Sequence, residues 1–156
     1  MNIIRHCALL ERLPFDFEPK KWNDFIDANC YAYLLNYMNA DEPTLHVGSI
    51  IGKEFRPDQS NQELIEILSK ELNFLGFLVE KTTSYSEVPP NTMKFFVSRS
   101  ICGDYHFYRL DSNGKWSHKL AYSEPSNYDF DYNPITLPEH ACSTDVNLGY
   151  FFLRFI

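Results

Sequence analysis

The chain has 156 residues, 44% of them apolar and 16% aromatic, which fits one ordinary folded domain and excludes a disordered chain. Its net charge of −7, from 14 Lys and Arg against 21 Asp and Glu, disfavours nucleic acid and anionic membranes as partners. The sequence carries neither a signal-peptide pattern nor an apolar run of membrane-spanning length. We therefore expect a cytoplasmic protein, or one exported without a cleaved signal peptide.

Residues 1–21 begin apolar and are interrupted by prolines, which predicts an extended lead-in packed on the domain. The segment 29–38 predicts a buried helix, because Asn29 is a good N-cap and the residues after it are apolar nearly all round. Cys30 then occupies the first turn of this helix.

The segment 41–59 contains two prolines and two glycines and predicts a loop. Ser60 and Glu63 have the spacing of a capping box, in which each side chain bonds the backbone of the other. They open a second helix over about 61–75, with an apolar stripe of leucines and an end at Gly76.

After Gly76 the pattern changes to short runs rich in aromatic and β-branched residues, which is typical of strands. The predicted strands are Phe77–Thr82, Met93–Ile101, Tyr105–Leu110, Lys115–Leu120 and Leu148–Phe155. Helices followed by an antiparallel sheet indicate the α+β class, and we treat residues 1–156 as a single domain.

The segment 111–115, Asp-Ser-Asn-Gly-Lys, predicts a hairpin with a three-residue loop. Counting outward from that loop pairs Tyr108 with His118 and makes His118 a diagonal neighbour of His106. His106, Tyr108, Trp116 and His118 then share one face, whereas a two-residue loop would place the two histidines on opposite faces.

Cys30 at a helix start is a candidate nucleophile, because backbone amides and the helix dipole favour the thiolate and lower the thiol pKa. His106 is the candidate general base, and His118 could orient its ring as the third member of a triad. Asp131 and Asp129, on the following loop, are alternative third members. Each residue also has an ordinary interpretation: a small buried cysteine, a strand histidine, a solvated loop acid.

Three segments together resemble the papain-like cysteine hydrolases, which include the NlpC-type and CHAP-type cell-wall amidases. They are Asn-Cys-Tyr-Ala-Tyr at 29–33, Asp-Tyr-His-Phe-Tyr-Arg at 104–109 and Trp-Ser-His-Lys at 116–119. Within that superfamily they are similar to a little-characterised bacterial and phage group, for which a secreted effector is one expectation. The resemblance implies helices packed on an antiparallel sheet, with nucleophile, base and third residue in the order Cys30, His106, His118.

The activity implied by the resemblance is that of a cysteine peptidase or amidase, which cleaves an amide bond of a peptide or protein through a thioester. We expect Asn29, Tyr31 and Trp116 to contact the substrate, and no cofactor or metal. The group has Pro-Gly soon after the Trp-Ser-His-Lys block, where this chain has Leu-Ala-Tyr-Ser at 120–123, and Gly where it has Tyr132. These differences concern the substrate-facing loop.

Two alternatives remain open. Cys102 with His106, and His140 with Cys142, could supply zinc ligands, but their spacings fit no standard finger, and the cysteines are expected to be reduced. The second alternative is an inactive protein-interaction module on the same fold. Its partner surface would be aromatic: Tyr31, Tyr105, Trp116, Tyr122, Tyr128 and Tyr132.

Overall fold

A computed structural model describes residues 12–156 of the chain. The helical elements of that part are a 3₁₀ helix at Pro19–Phe25, α1 at Cys30–Leu34, α2 at Asn61–Phe74 and a 3₁₀ turn at Pro138–His140. The strands are β1 at Phe77–Thr82, β2 at Thr92–Arg99, β3 at Tyr105–Leu110, β4 at Trp116–Ser117 and β5 at Val146–Phe155. Over residues 12–156, the longest apolar helix falls short of the span that a bilayer requires.

The five strands form one open sheet in the order β1-β5-β2-β3-β4, and every neighbouring pair is antiparallel. The predicted α+β class is therefore confirmed. The fourth strand is shorter than predicted, since β4 pairs with β3 only at Arg109–Ser117 and Leu110–Trp116. From His118 onward the chain leaves β3 and forms an isolated bridge with Ser126 instead. Strand β4 therefore leaves the outer edge of β3 unpaired along the first residues of β3.

The hairpin between β3 and β4 has the predicted register. The Asp111 amide donates to the Lys115 carbonyl over 3.0 Å, and the Gly114 amide donates to the Asp111 carbonyl over 2.9 Å. Gly114 has φ +77°, a left-handed backbone that costs glycine little. The three-residue loop is confirmed, and with it the common face of His106 and His118.

Helix α2 agrees with its sequence pattern. Ser60 Oγ accepts from the Glu63 amide and Glu63 Oε1 accepts from the Ser60 amide, both over 3.1 Å, so the predicted capping box is present. Gly76, with φ +97°, follows the last turn. These signals are local in sequence, which explains why the boundaries were predictable.

Helix α1 ends at Leu34, and the prediction of a helix to residue 38 is wrong. Asn36 is in the left-handed region with φ +55°. The Asn36 amide donates to the Tyr33 carbonyl over 3.1 Å, and the Tyr37 amide donates to the Ala32 carbonyl over 2.8 Å. This is a Schellman ending, in which Asn takes the position usually held by Gly.

The lead-in also differs from its prediction in the part that the structure describes. Residues 19–25 form a 3₁₀ helix that begins at Pro19 and buries Trp22, so this stretch is not extended. Proline fixes φ near the helical value and is tolerated at a first helical position, which favours this start. The part of this prediction that concerns residues 1–11 lies outside the described residues.

The sheet is covered on both faces. Helices α1 and α2 pack on one face, where β2 and β3 contribute Phe95, Val97 and Phe107. A smaller cluster covers the other face: Phe96, Tyr108, Trp116, Ala141 and Tyr150. Because strand side chains alternate, His106 shares this second face with Tyr108, whereas Cys30 comes from a helix on the first.

Candidate active site

Cys30 reaches the sheet at the uncovered outer edge of β3. Its sulfur lies 3.8 Å from the Tyr105 carbonyl oxygen. The Phe107 amide also acts on the sulfur and lowers its pKa. The Tyr105 carbonyl and the Phe107 amide belong to the residues on either side of His106. The edge of β3 therefore brings Cys30, the candidate nucleophile, to His106, the candidate base, although the two side chains belong to different layers.

One buried carboxylate, that of Glu71, holds α1 in place from the helix side. The Tyr31 hydroxyl donates to Glu71 Oε1 of α2 over 2.6 Å. The two oxygens of that carboxylate also accept from the amides of Gly48 (3.0 Å) and Ile50 (2.9 Å). Glu71 therefore ties the helix that carries Cys30 to the loop over 46–50, which borders the cleft.

A second buried network joins α1 to the hairpin. Tyr33 Oη and Ser117 Oγ are 2.7 Å apart, and Ser117 Oγ donates to Asp111 Oδ2 over 2.5 Å. Asp111 Oδ1 accepts from Arg109 Nε over 2.7 Å, and Arg109 Nη1 donates back to the Tyr33 carbonyl over 2.8 Å. The guanidinium also lies over the Tyr33 ring, 3.7 Å from its centroid. These motif residues fix α1 relative to β3 and β4.

The two histidines lie in line, as the hairpin register predicted. His106 Nε2 and His118 Nδ1 are 2.8 Å apart, and His118 Nε2 lies 2.7 Å from the Tyr128 carbonyl oxygen. A carbonyl only accepts, so His118 Nε2 carries a proton and, in the neutral ring, Nδ1 is an acceptor. His106 Nε2 must then be the donor, which leaves the lone pair of His106 on Nδ1. The chain of two bonds selects the tautomer of the candidate base.

Aromatic rings enclose this pair and reduce its contact with water. The His106 ring lies edge-on to Tyr108 at 4.8 Å between centroids, and the His118 ring stacks on Tyr108 at 5.0 Å. Phe130 contacts both imidazoles, with centroids 5.9 and 5.3 Å away. Desolvation lowers the pKa of His106 to about 3, with a smaller contribution from His118, and desolvation also lowers the pKa of His118.

The predicted fall in the thiol pKa of Cys30 is wrong. Burial raises that pKa to about 11, although the amides of Phe107, Tyr31 and Cys30 itself act in the opposite direction. The physical reason is that α1 has five residues and a correspondingly small dipole, while the side chain is only 9% exposed. At neutral pH the site therefore holds a thiol and a neutral imidazole, not a preformed ion pair.

A cleft of about 480 Å³ opens onto both candidates. Cys30 and His106 line it together with Lys119 and with polar groups on its rim, among them His46 and Asp104. A second depression, of about 300 Å³, has His118 in its wall and shares Leu120 with the first. The arrangement gives a solvent-connected space around a thiol, with a base of defined tautomer in its wall.

The alternative third members of the triad, Asp129 and Asp131, make no direct hydrogen bond to His106 among the described contacts. Asp129 lines the second depression beside His118 and raises the His118 pKa, but its Oδ1 accepts the amides of Asp131 (2.8 Å) and Asn133 (2.9 Å) and so shapes the loop. The Asp131 side chain is exposed. The direct partner of His106 is His118.

The loop after β4 holds two tyrosines in the left-handed region. Tyr122 has φ +66° and Tyr132 has φ +63°, and their side chains are 78% and 87% exposed. Tyr132 stands where the resembled group has Gly, which adopts this conformation without cost. A bulky residue there is strained and gains little packing in return.

Of the three residues predicted to contact substrate, Asn29 alone lines the cleft. Its Oδ1 accepts from the amides of Ala32 (3.1 Å) and Leu45 (3.2 Å), so the side chain is engaged in capping. Tyr31 is fully buried against α2, and Trp116 packs in the cluster on the second face, so neither ring lines the cleft, and their contact with substrate stays a prediction. Lys119 also lines the cleft and was not among the predicted site residues, although its position directly after His118 is a signal for it.

The cysteines Cys30, Cys102 and Cys142 are free, and Cys7 lies outside the described residues. Among residues 12–156, no group of three or more His, Cys, Asp or Glu side chains comes together as a metal site would require. The zinc alternative therefore gains no ligand set from this part of the chain.

Comparison with known proteins gives a relative that matches about four-fifths of the chain. No family model matches the chain, and no solved structure matches it. Insoluble matrix shell protein 1 of Ruditapes philippinarum is 30% identical to it over 130 residues, which cover 80% of this chain and 79% of that protein. The chain belongs to the same family as this shell protein.

Proposed function

We propose that the protein is a cysteine-dependent hydrolase of papain-like arrangement, with Cys30 as nucleophile, His106 as general base and His118 as the residue that orients the base. The observation that carries the proposal is the hydrogen-bonded line from the Tyr128 carbonyl through His118 to His106, at 2.7 and 2.8 Å. It leaves the basic nitrogen of His106 free at a cleft that Cys30 also lines. The substrate would be an amide of a peptide or protein.

The reaction follows from the neutral state of the pair. As the Cys30 sulfur bonds to the substrate carbonyl carbon, its proton passes to Nδ1 of His106, and the carbonyl oxygen becomes an oxyanion beside the Cys30 amide. The His106 proton then goes to the departing amine, leaving a thioester. Water, deprotonated by the same imidazole, attacks the thioester, and its proton returns to the sulfur as the acid product leaves.

The raised thiol pKa and the lowered imidazole pKa support a proton transfer that accompanies the attack step. Substrate would displace water from the cleft, and His118 Nδ1 would stabilise the imidazolium of His106 by accepting a hydrogen bond from its Nε2–H. A histidine can do this as a neutral acceptor, less strongly than a carboxylate would. We therefore infer modest turnover and a strong dependence on His118.

The test is acylation of Cys30 by p-nitrophenyl acetate at pH 7, followed by peptide mass spectrometry. The acetyl group should appear on Cys30 and disappear with time as water resolves the thioester, while exposed Cys102 provides the comparison within the same molecule. His106→Ala should slow acylation by about 100-fold, the low end of what a positioned base contributes. Equal labelling of Cys30 in both proteins, or labelling only after unfolding, would refute the hydrolase.

A second candidate is a non-catalytic matrix or interaction protein on the same fold. The name of the shell-protein relative favours it, and so does a resting thiol held neutral by burial. It would also fit the expectation of export without a cleaved signal. If the protein is a matrix or interaction protein, Cys30→Ser folds normally and retains every binding property. If the protein is a hydrolase, Cys30→Ser loses acylation.

A further inference from the structure

Lys119 is a buried charged side chain whose contacts all lie beside the proposed nucleophile. It is fully buried, and its ammonium donates to the carbonyls of Ile26 (2.7 Å), Ala28 (2.5 Å) and Leu120 (3.2 Å). All three ammonium protons are used, and no carboxylate is among the acceptors. Burying a cation that is bound only by backbone carbonyls costs folding free energy. Packing alone therefore does not explain why this position is a lysine.

The three carbonyls belong to two segments that the site must hold together. Ile26 and Ala28 precede Cys30 by four and two residues, while Lys119 and Leu120 directly follow His118. The Tyr122 amide reinforces the link by donating to the same Ile26 carbonyl over 2.7 Å. The ammonium is therefore the side-chain connection between the approach to the nucleophile and the segment of the third residue.

We propose that Lys119 is the positioning residue of this site: it locks the Cys30 loop onto the His118 segment and supplies the positive charge that favours the Cys30 thiolate. The inference rests on the proposed function. Lys119 lines the same cleft as Cys30 and His106, and the Cys30 thiolate is one of the charges that raise the pKa of Lys119, so the two groups interact electrostatically.

The charged neighbours set the direction of the effect. Asp27 and Cys30 raise the pKa of Lys119, burial lowers it to about 8, and Asp104 is the charge that opposes ionisation of Cys30. Lys119 is thus protonated at pH 7 and loses its proton as the pH rises through about 8. Deprotonation in that range removes the charge and one of the three N–H donors, so the support given to the thiolate should weaken there.

The experiment measures the second-order rate of iodoacetamide alkylation at Cys30 from pH 6.5 to 9.5, resolved by peptide mass spectrometry. Lys119→Met should lower the rate at pH 7 by about tenfold or more and remove the change in slope near pH 8, while Cys102 reacts as before. Lys115→Met, at an exposed lysine of the same hairpin, is the matched control and should leave both cysteines unchanged. A folded Lys119→Met protein with the wild-type rate and profile would overturn the proposal.

Lys119→Arg keeps the test decisive if Lys119→Met does not fold. The planar guanidinium retains the charge but cannot direct three donors from the position of Nζ, so the rate at Cys30 should fall several-fold, less than for Met. A wild-type rate in Lys119→Arg would overturn the positioning role. His106→Ala distinguishes failure of the proposed hydrolase from failure of the role of Lys119. If His106→Ala leaves the alkylation rate of Cys30 unchanged, the proposed function fails. If His106→Ala slows alkylation while Lys119→Met does not, only the role of Lys119 is refuted.

Discussion

Acidification below about pH 6.5 should destabilise this protein through His106. The histidine pKa is about 3 in the folded protein and about 6.5 in the unfolded chain, so between these values the unfolded state binds more protons. Stability that is fully present above pH 6.5 is then lost as the pH falls. Going from pH 7.5 to 5.0 costs about 2 kcal/mol for this one group. His118, whose pKa is also lowered, adds to the loss.

Urea unfolding followed by tryptophan fluorescence at several pH values between 7.5 and 5.0 measures the effect. His106→Gln, which cannot be protonated, should remove about 2 kcal/mol of the pH-dependent loss. His140→Gln, at an exposed histidine, is the control and should retain the wild-type dependence. If wild type and His106→Gln lose the same stability over this range, the imidazole is not held neutral by burial and the assigned proton path is wrong.

The remaining predictions concern stability and use the same unfolding assay. Tyr132→Gly should stabilise the protein by about 0.5–1 kcal/mol, because the left-handed strain is relieved and the exposed ring packs little; a loss of stability would show that the ring makes contacts in solution. Arg109→Met should cost about 3–5 kcal/mol, since it leaves Asp111 buried without its partner; the double variant with Asp111→Leu should recover part of this. Glu71→Ala should cost about 3 kcal/mol by orphaning three donors, and a change below 1 kcal/mol would contradict the buried network.

The parts of the fold that could be predicted from sequence are those set by neighbours in the chain. The capping box of α2 and the Asn-Gly hairpin each lie within a few residues, and both are as expected. The strand β4 is shorter than predicted because His118 pairs with Ser126, a competition between partners that no local pattern records. The early end of α1 is a different case, since Asn36, a residue type that tolerates the left-handed region, is a local signal for it.

The candidate site also combines features that neighbours in the chain determine with features that distant segments determine. The alignment of His106 with His118 depends on the register of one hairpin, so it could be predicted. The sign of the Cys30 pKa shift depends on how deeply distant segments bury the thiol, and a helix-start pattern carries no such information. The Tyr31 ring is buried and its hydroxyl donates to Glu71, 40 residues away in the chain, so its burial could not be predicted from its neighbours in sequence.

The polar groups that anchor α1 bear on the choice between an enzyme and a matrix protein. A helix of five residues could be held by apolar packing alone, and buried ion pairs often stabilise less than apolar residues of the same volume. Here Tyr33, Arg109 and Asp111 instead fix both the position and the rotation of α1 through directional bonds. Such bonds have no evident use in a protein that needs only a stable core. They have a use if the Cys30 sulfur must stay at the β3 edge within reach of His106, as the hydrolase requires.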